Sequence, residues 1–149
     1  MLLLVRKGRV ILMKIITNRP IPEKFRVLAD TVMKGQTPLF AVVGDLDLSG
    51  RYNESALIFT RDTLFAFDDK YQEKYVEVKI DTLREVHVKR MYGNALFKAV
   101  TKDGKKLNLL RFTYSAADIG DAAALYVNGV IESGFNNDLV EMVHATYNK

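Results

Sequence analysis

The sequence predicts a mainly β fold, α+β by content: about seven short antiparallel strands curled into a small barrel, capped by a C-terminal helix and preceded by a short helix. Two observations carry this. Between residues 39 and 113 apolar segments of strand length recur between tight polar turns. The strands follow one another without intervening helices, and helical periodicity appears only at the two ends, which points to an antiparallel sandwich or partly open barrel rather than a parallel sheet.

Residues 23–34 form the first helix, because Pro22 suits a first turn, Phe25, Leu28, Ala29 and Val32 recur at helical spacing, and Gly35 ends the pattern. Residues 39–43 are a continuous apolar run, followed by a polar turn over residues 45–53. Residues 56–60 turn at Arg61-Asp62 into residues 64–67, and a polar loop leads to residues 75–80 with period-two alternation. In residues 83–91, Val86 and Val88 share one face and His87 and Lys89 the other. Gly93-Asn94 turns the chain into residues 95–101, and Asp103-Gly104 is a hairpin signal leading to residues 107–113. Ser115-Ala116-Ala117-Asp118 reads as a capping box for a helix to about Glu132. Ser133-Gly134 stops it, and Asn137 caps a second piece over residues 138–147.

A chain of 149 residues suits one domain with a real core. Cysteine is absent, which excludes disulfides, thiolate metal sites and thiol nucleophiles and fits a reducing compartment. The net charge of +4 is unevenly placed. Residues 1–35 hold Arg6, Lys7, Arg9, Lys14, Arg19, Lys24, Arg26 and Lys34 against Glu23 and Asp30, so the rest is slightly acidic. Lys7-Gly8-Arg9 permits a purine-rich ribosome-binding run just ahead of Met13, so translation is expected to start there, removing three of those charges. A nucleic-acid partner is therefore not expected. The apolar stretch at the front is interrupted by Arg6, Lys7 and Arg9 and lacks a small-residue cleavage site, so no signal peptide is expected, and no apolar run reaches membrane-spanning length.

Candidate chemistry is sparse. Asp45-Leu46-Asp47-Leu48-Ser49-Gly50 looks like half a calcium loop, but Ala56 stands where a bidentate Glu belongs, so a solvated β-turn is expected and no metal site. His87 and His144 are the only histidines, far apart in sequence and expected at the surface. No nucleophile elbow, phosphate loop or dinucleotide fingerprint occurs, so no catalytic residue and no cofactor are assigned. Phe59, Phe65, Phe67, Phe97 and Phe112 fall at apolar positions and belong to the core. Lys89, Arg90, Lys98, Lys102, Lys105, Lys106 and Arg111 fall on neighbouring strands and one hairpin. They are the candidate contacts to an anionic surface, against the plainer reading that they decorate exposed strands and block edge pairing.

The segments Gly44-Asp45-Leu46-Asp47-Leu48-Ser49-Gly50-Arg51-Tyr52, residues 56–60, residues 64–67, Val78-Lys79-Ile80-Asp81-Thr82-Leu83 and Leu110-Arg111-Phe112-Thr113-Tyr114-Ser115 carry a resemblance. In them the chain resembles the N-terminal soluble domain of bacterial ABC exporters that fuse permease and ATPase. That domain is similar in layout to pleckstrin-homology-like domains: seven strands and a capping helix. The resemblance spans about residues 39–132 and implies a bacterial module that is a freestanding relative, a truncated gene product or an excised domain. No Walker A loop accompanies it, so ATP hydrolysis is not expected. The phosphoinositide signature of eukaryotic relatives is missing too, since the first hairpin offers Asp45, Asp47 and only Arg51.

The expected organisation is an N-terminal arm and short helix over residues 1–38, a PH-like domain over 39–134 and a helical extension over 135–149. The expected function is non-enzymatic: an interaction or regulatory module associated with an ABC-type transporter, in the cytoplasm at the inner face of the membrane. It would accept a partner's strand or helix in the groove between an exposed strand and the C-terminal helix. Residues 133–149 would fill that groove in the same chain or bridge two copies. The alternative is a peripheral binder of anionic membrane lipid.

Overall fold

In a computed structural model, residues 15–147 are described in full, together with the backbone of residues 5–6 and 9–10. The basic side chains of the arm before Ile15 and the expected start at Met13 lie outside the described residues. Strands β1 (Val5–Arg6) and β2 (Arg9–Val10) pair antiparallel. The rest runs α1 (Glu23–Met33), β3 (Phe40–Leu46), β4 (Tyr52–Phe59), β5 (Thr63–Phe67), β6 (Tyr75–Lys79), β7 (Leu83–Met91), β8 (Asn94–Thr101), β9 (Lys106–Phe112), α2 (Ala117–Ser133) and α3 (Asn137–Tyr147).

The seven strands β3–β9 form one antiparallel sheet in the order β6-β5-β4-β3-β9-β8-β7. The strand and helix content expected from sequence is present; the closed barrel is not. β6 and β7 are the two ends of the order, joined through a 3-10 turn at Ile80–Thr82 rather than by a ladder. β3 and β9 pair at a single register, Leu46↔Arg111. The sheet is therefore two meanders, β3–β6 and β7–β9, hinged at one corner.

Both faces are buried along β3, β5 and the second half of β4, which is why these strands read as continuous apolar runs rather than alternating ones. On the outer face, α1 lays Phe25, Ala29, Val32 and Met33 against Ala41, Val43, Ile58, Phe65 and Phe67. On the inner face, Phe40, Phe59, Phe97 and Tyr126 make a ring-on-ring cluster with centroids 4.5 to 6.4 Å apart. Phe59, Phe65, Phe67, Phe97 and Phe112 are all fully buried. At the hinge, Gly44 packs where a Cβ would lie 2.4 Å from Ser55 Oγ and 2.8 Å from the Arg111 carbonyl oxygen. Only glycine lets the two meanders approach that closely.

The helices differ from expectation in their caps. No side chain caps α2: Tyr114–Ala116 form a 3-10 turn, and Ser115 Oγ sits 2.9 Å from Thr113 Oγ1 instead of a helix amide. The first turn of α3 is capped one residue earlier than expected, with Asp138 N donating to Asn136 Oδ1 at 2.7 Å. α3 is part of the core. Val140 and Val143 are buried against it, and Leu139 lies over Gly129 of α2, 2.7 Å from where a Cβ would stand. Residues 135–147 thus pack within their own chain.

Candidate functional site

A sheet hinged at one register leaves one strand only half paired. β3 is laddered to β4 from Phe40 to Leu46, but on its other side β9 reaches it only at Leu46. In an antiparallel ladder alternate residues direct both main-chain groups to the same side. Ala41 and Val43 therefore face away from β4 along an edge that lies inside the fold.

Each of their groups finds a partner that is not a strand of the sheet. The Ala41 amide donates to the Ile16 carbonyl at 2.9 Å, within an isolated parallel bridge between Thr17 and Ala41. The Tyr147 hydroxyl, from the last turn of α3, donates to the Ala41 carbonyl. The side-chain amide of Asn18 serves Val43 twice: Val43 N donates to Oδ1 at 2.8 Å and Nδ2 donates to the Val43 carbonyl at 3.0 Å. One residue before the strand, the Leu39 carbonyl lies 3.1 Å from His144 Nε2, so that nitrogen carries a proton. This edge of β3 is a strand-shaped slot. Residues 15–18 fill one end, and the end of α3 closes the other.

The electrostatics fit a closed slot. Burial raises the Tyr147 phenol well above its ordinary range, so it remains a donor at physiological pH. At the far end, burial pushes the Asp45 carboxyl up, but hydrogen bonds from Thr113 Oγ1 at 2.6 Å and Thr113 N at 2.9 Å outweigh it and hold it low. Beside the slot a shallow groove of about 550 Å³ runs between Arg19, Pro20, Pro22 and Arg26 on one wall and Gly44, Asn53 and Glu54 on the other.

The sequence-assigned basic residues divide into three groups. Lys89, Lys98 and Lys106 lie with His87 on the open face of the second meander, where His87 is opposite Lys98 and Lys89 opposite Leu96. Lys102 and Lys105 belong to the exposed β8–β9 turn at one end of that face. Arg90 does not join them: it shares the parity of Val86 and Val88, points to the other face, and holds Asp121 of α2 through two bonds of 3.2 and 3.0 Å. Arg111 is structural, its Nε donating to the Leu48 carbonyl at 3.1 Å and its Nη1 to Asn94 Oδ1 at 2.8 Å.

The expected solvated turn is more buried than its composition suggests. Asp47 is 3 % exposed, and its Oδ1 accepts Ser49 N and Arg51 N at 2.9 and 3.2 Å. Asp68 is fully buried, and its carboxylate accepts Leu48 N and Lys70 N at 3.0 and 2.9 Å; burial raises its pKa. These carboxylates organise loops. Among the described residues no three His, Asp or Glu side chains converge as metal ligands. His87 is exposed as expected, whereas His144 is half-buried at the slot.

No protein-family model matches this chain, and no curated protein matches it in sequence.

Two asparagines that complete strand edges carry little or no signal in the sequence. Asn18 lies in a stretch without periodicity, and nothing in its surroundings marks it as a strand surrogate. Asn128 makes the same two bonds to Val86 on the free edge of β7, at 2.9 Å each. A short carboxamide in mid-helix is an indifferent helix former, and that was its one signal.

Proposed function

We propose that this chain is a non-enzymatic, PH-like interaction module that binds a partner protein by strand addition along the edge of β3 that residues 15–18 occupy. A single observation carries the reading: the Ala41 and Val43 main-chain groups, directed along a buried edge that no strand of the sheet covers, are satisfied by side chains and by one short segment rather than by a strand. Main-chain pairing to an exposed edge gives affinity, and flanking grooves give specificity. The strand order, with a helix following the last strand, supports the PH-like layout. The resemblance to exporter domains makes a membrane transporter the partner class.

A photo-crosslinking residue replacing Ile16, which is 40 % exposed beside the slot, tests the proposal in the native cell. Val27 on the outer side of α1, 71 % exposed, is the control. A discrete protein adduct from position 16 and none from position 27 is the expected result. Identical adducts from both positions, or none, would refute it.

A second reading, peripheral contact with anionic lipid, is favoured by the alignment of Lys89, Lys98 and Lys106 on one open face. It requires salt-sensitive sedimentation with acidic vesicles and none with neutral ones. Equal sedimentation with both removes it.

A further inference from the structure

Resting on the strand-addition reading, we infer that residues 15–18 are a displaceable internal plug of the β3 slot and that they disclose the chemistry of the partner segment. The plug is held by one parallel bridge at Thr17↔Ala41, the Ile16 carbonyl, the Asn18 amide and the partly buried Ile15 side chain against the cluster beneath α1. Its anchor lies farther along the chain, where Ile21 is 2 % exposed beneath α1. Pro20 and Pro22 flank that anchor and fix φ on either side, so residues 15–18 can lift while α1 keeps its seat. Ile16 is already 40 % exposed, so the apolar cost of lifting the plug lies mainly in withdrawing Ile15 from the cluster beneath α1.

The replaced contacts define what can replace them. The incoming segment runs parallel to β3, as the plug does. To reproduce the plug's bonds it presents a main-chain carbonyl to the Ala41 amide and, two residues later, a carboxamide side chain that both accepts from Val43 N and donates to its carbonyl. A carboxylate accepts only and a lysine donates only, whereas a carboxamide does both with the reach that Asn18 shows, so Asn or Gln is favoured there. The matching partner is an extended protein segment with β-branched residues followed by Asn or Gln, as in the plug's own Ile15-Ile16-Thr17-Asn18. The Tyr147 hydroxyl stays on the Ala41 carbonyl throughout, so α3 forms a fixed wall.

The probe is an acetylated peptide with the sequence of residues 13–19, added to the isotope-labelled full chain and followed through the Ala41 and Val43 amide resonances. Asn18→Ala weakens the plug without altering the peptide and should tighten peptide binding at least tenfold over the unmodified chain. The pair Thr17→Cys and Ala41→Cys, in a chain with no other cysteine, locks the plug when oxidised. The oxidised form should bind at least tenfold more weakly than the reduced form of the same protein, which also serves as its folding control. Equal binding to both forms, perturbations away from Ala41 and Val43, no binding by any form, or a pair that does not oxidise would each overturn the inference. A plug that opens while position 16 crosslinks to nothing retains the inference and removes the proposed function. Crosslinks with a plug that never opens do the reverse.

Discussion

Replacing Gly44 by alanine probes the join between the two meanders. The added methyl would stand 2.4 Å from Ser55 Oγ, 2.8 Å from the Arg111 carbonyl oxygen and 3.4 Å from Leu110 Cδ1, where unstrained contacts begin near ~3.5 Å. The Ser55 hydroxyl cannot turn away without leaving the Leu46 carbonyl, to which it donates at 2.8 Å in a fully buried site. The Arg111 carbonyl belongs to the only register that ties β3 to β9. Overpacking a fitted interior costs about 1–3 kcal/mol, and a lost buried hydrogen bond about 1 kcal/mol more. Removing a glycine's backbone freedom offsets up to ~1 kcal/mol. A net loss of about 2 kcal/mol should lower Tm by roughly 4–8 °C for a chain of this size. Urea denaturation reads this as a lower midpoint at unchanged slope. Adding Ser55→Gly removes the hydroxyl contact but not the main-chain one, so it should rescue only part of the loss. A Gly44→Ala midpoint at or above that of the unmodified chain, or complete rescue by Ser55→Gly, would refute the close approach of the meanders.

Other perturbations follow from the same contacts. Asn128→Ala strips both partners from the Val86 main chain; the loss should be about 1–2 kcal/mol after helix propensity returns a fraction of a kcal/mol, with increased self-association on light scattering as the β7 edge opens. Val143→Ala removes two methyl groups from a fully buried site in α3 and should cost about 1.5–3 kcal/mol; an unchanged urea midpoint would mean that the tail is an appendage. Asp45 is held low by Thr113 despite its burial, so its contribution is complete above the ordinary value of 3.8 and is lost as pH falls through its lower folded value. The stability difference between the native chain and Asp45→Asn should therefore be constant near neutrality and shrink in acid, a trend that thermal melts across pH will check.

Seven strands were legible because turn chemistry punctuates them: Asp103-Gly104 and Gly93-Asn94 sit at hairpins, and the alternation of β7 placed His87 outward. Burial on both faces explains why β3 to β5 lacked alternation, yet the cause, α1 lying across them, is a tertiary event that no local pattern encodes. The open form of the sheet is not legible in the sequence for a similar reason. Which strands pair is decided by long-range register, and Gly44 marks the hinge only once Arg111 is seen against it. The parity of β7 already separated Arg90 from Lys89, so that division was readable. The slot was not. It arises where a strand loses its neighbour, and its fillers, Asn18 and Tyr147, lie 25 and 106 residues from the groups they satisfy.

Amide hydrogen exchange along β3 bears most directly on the slot. Ala41 and Val43 donate to a short segment and to a side chain, while Val42 between them faces β4. Ala41 and Val43 should exchange through a local opening, at least a hundredfold faster than Val42 and with little dependence on denaturant. Exchange of all three at one rate, reached only through global unfolding, would show that the edge is an ordinary part of the core and no place for a partner's strand.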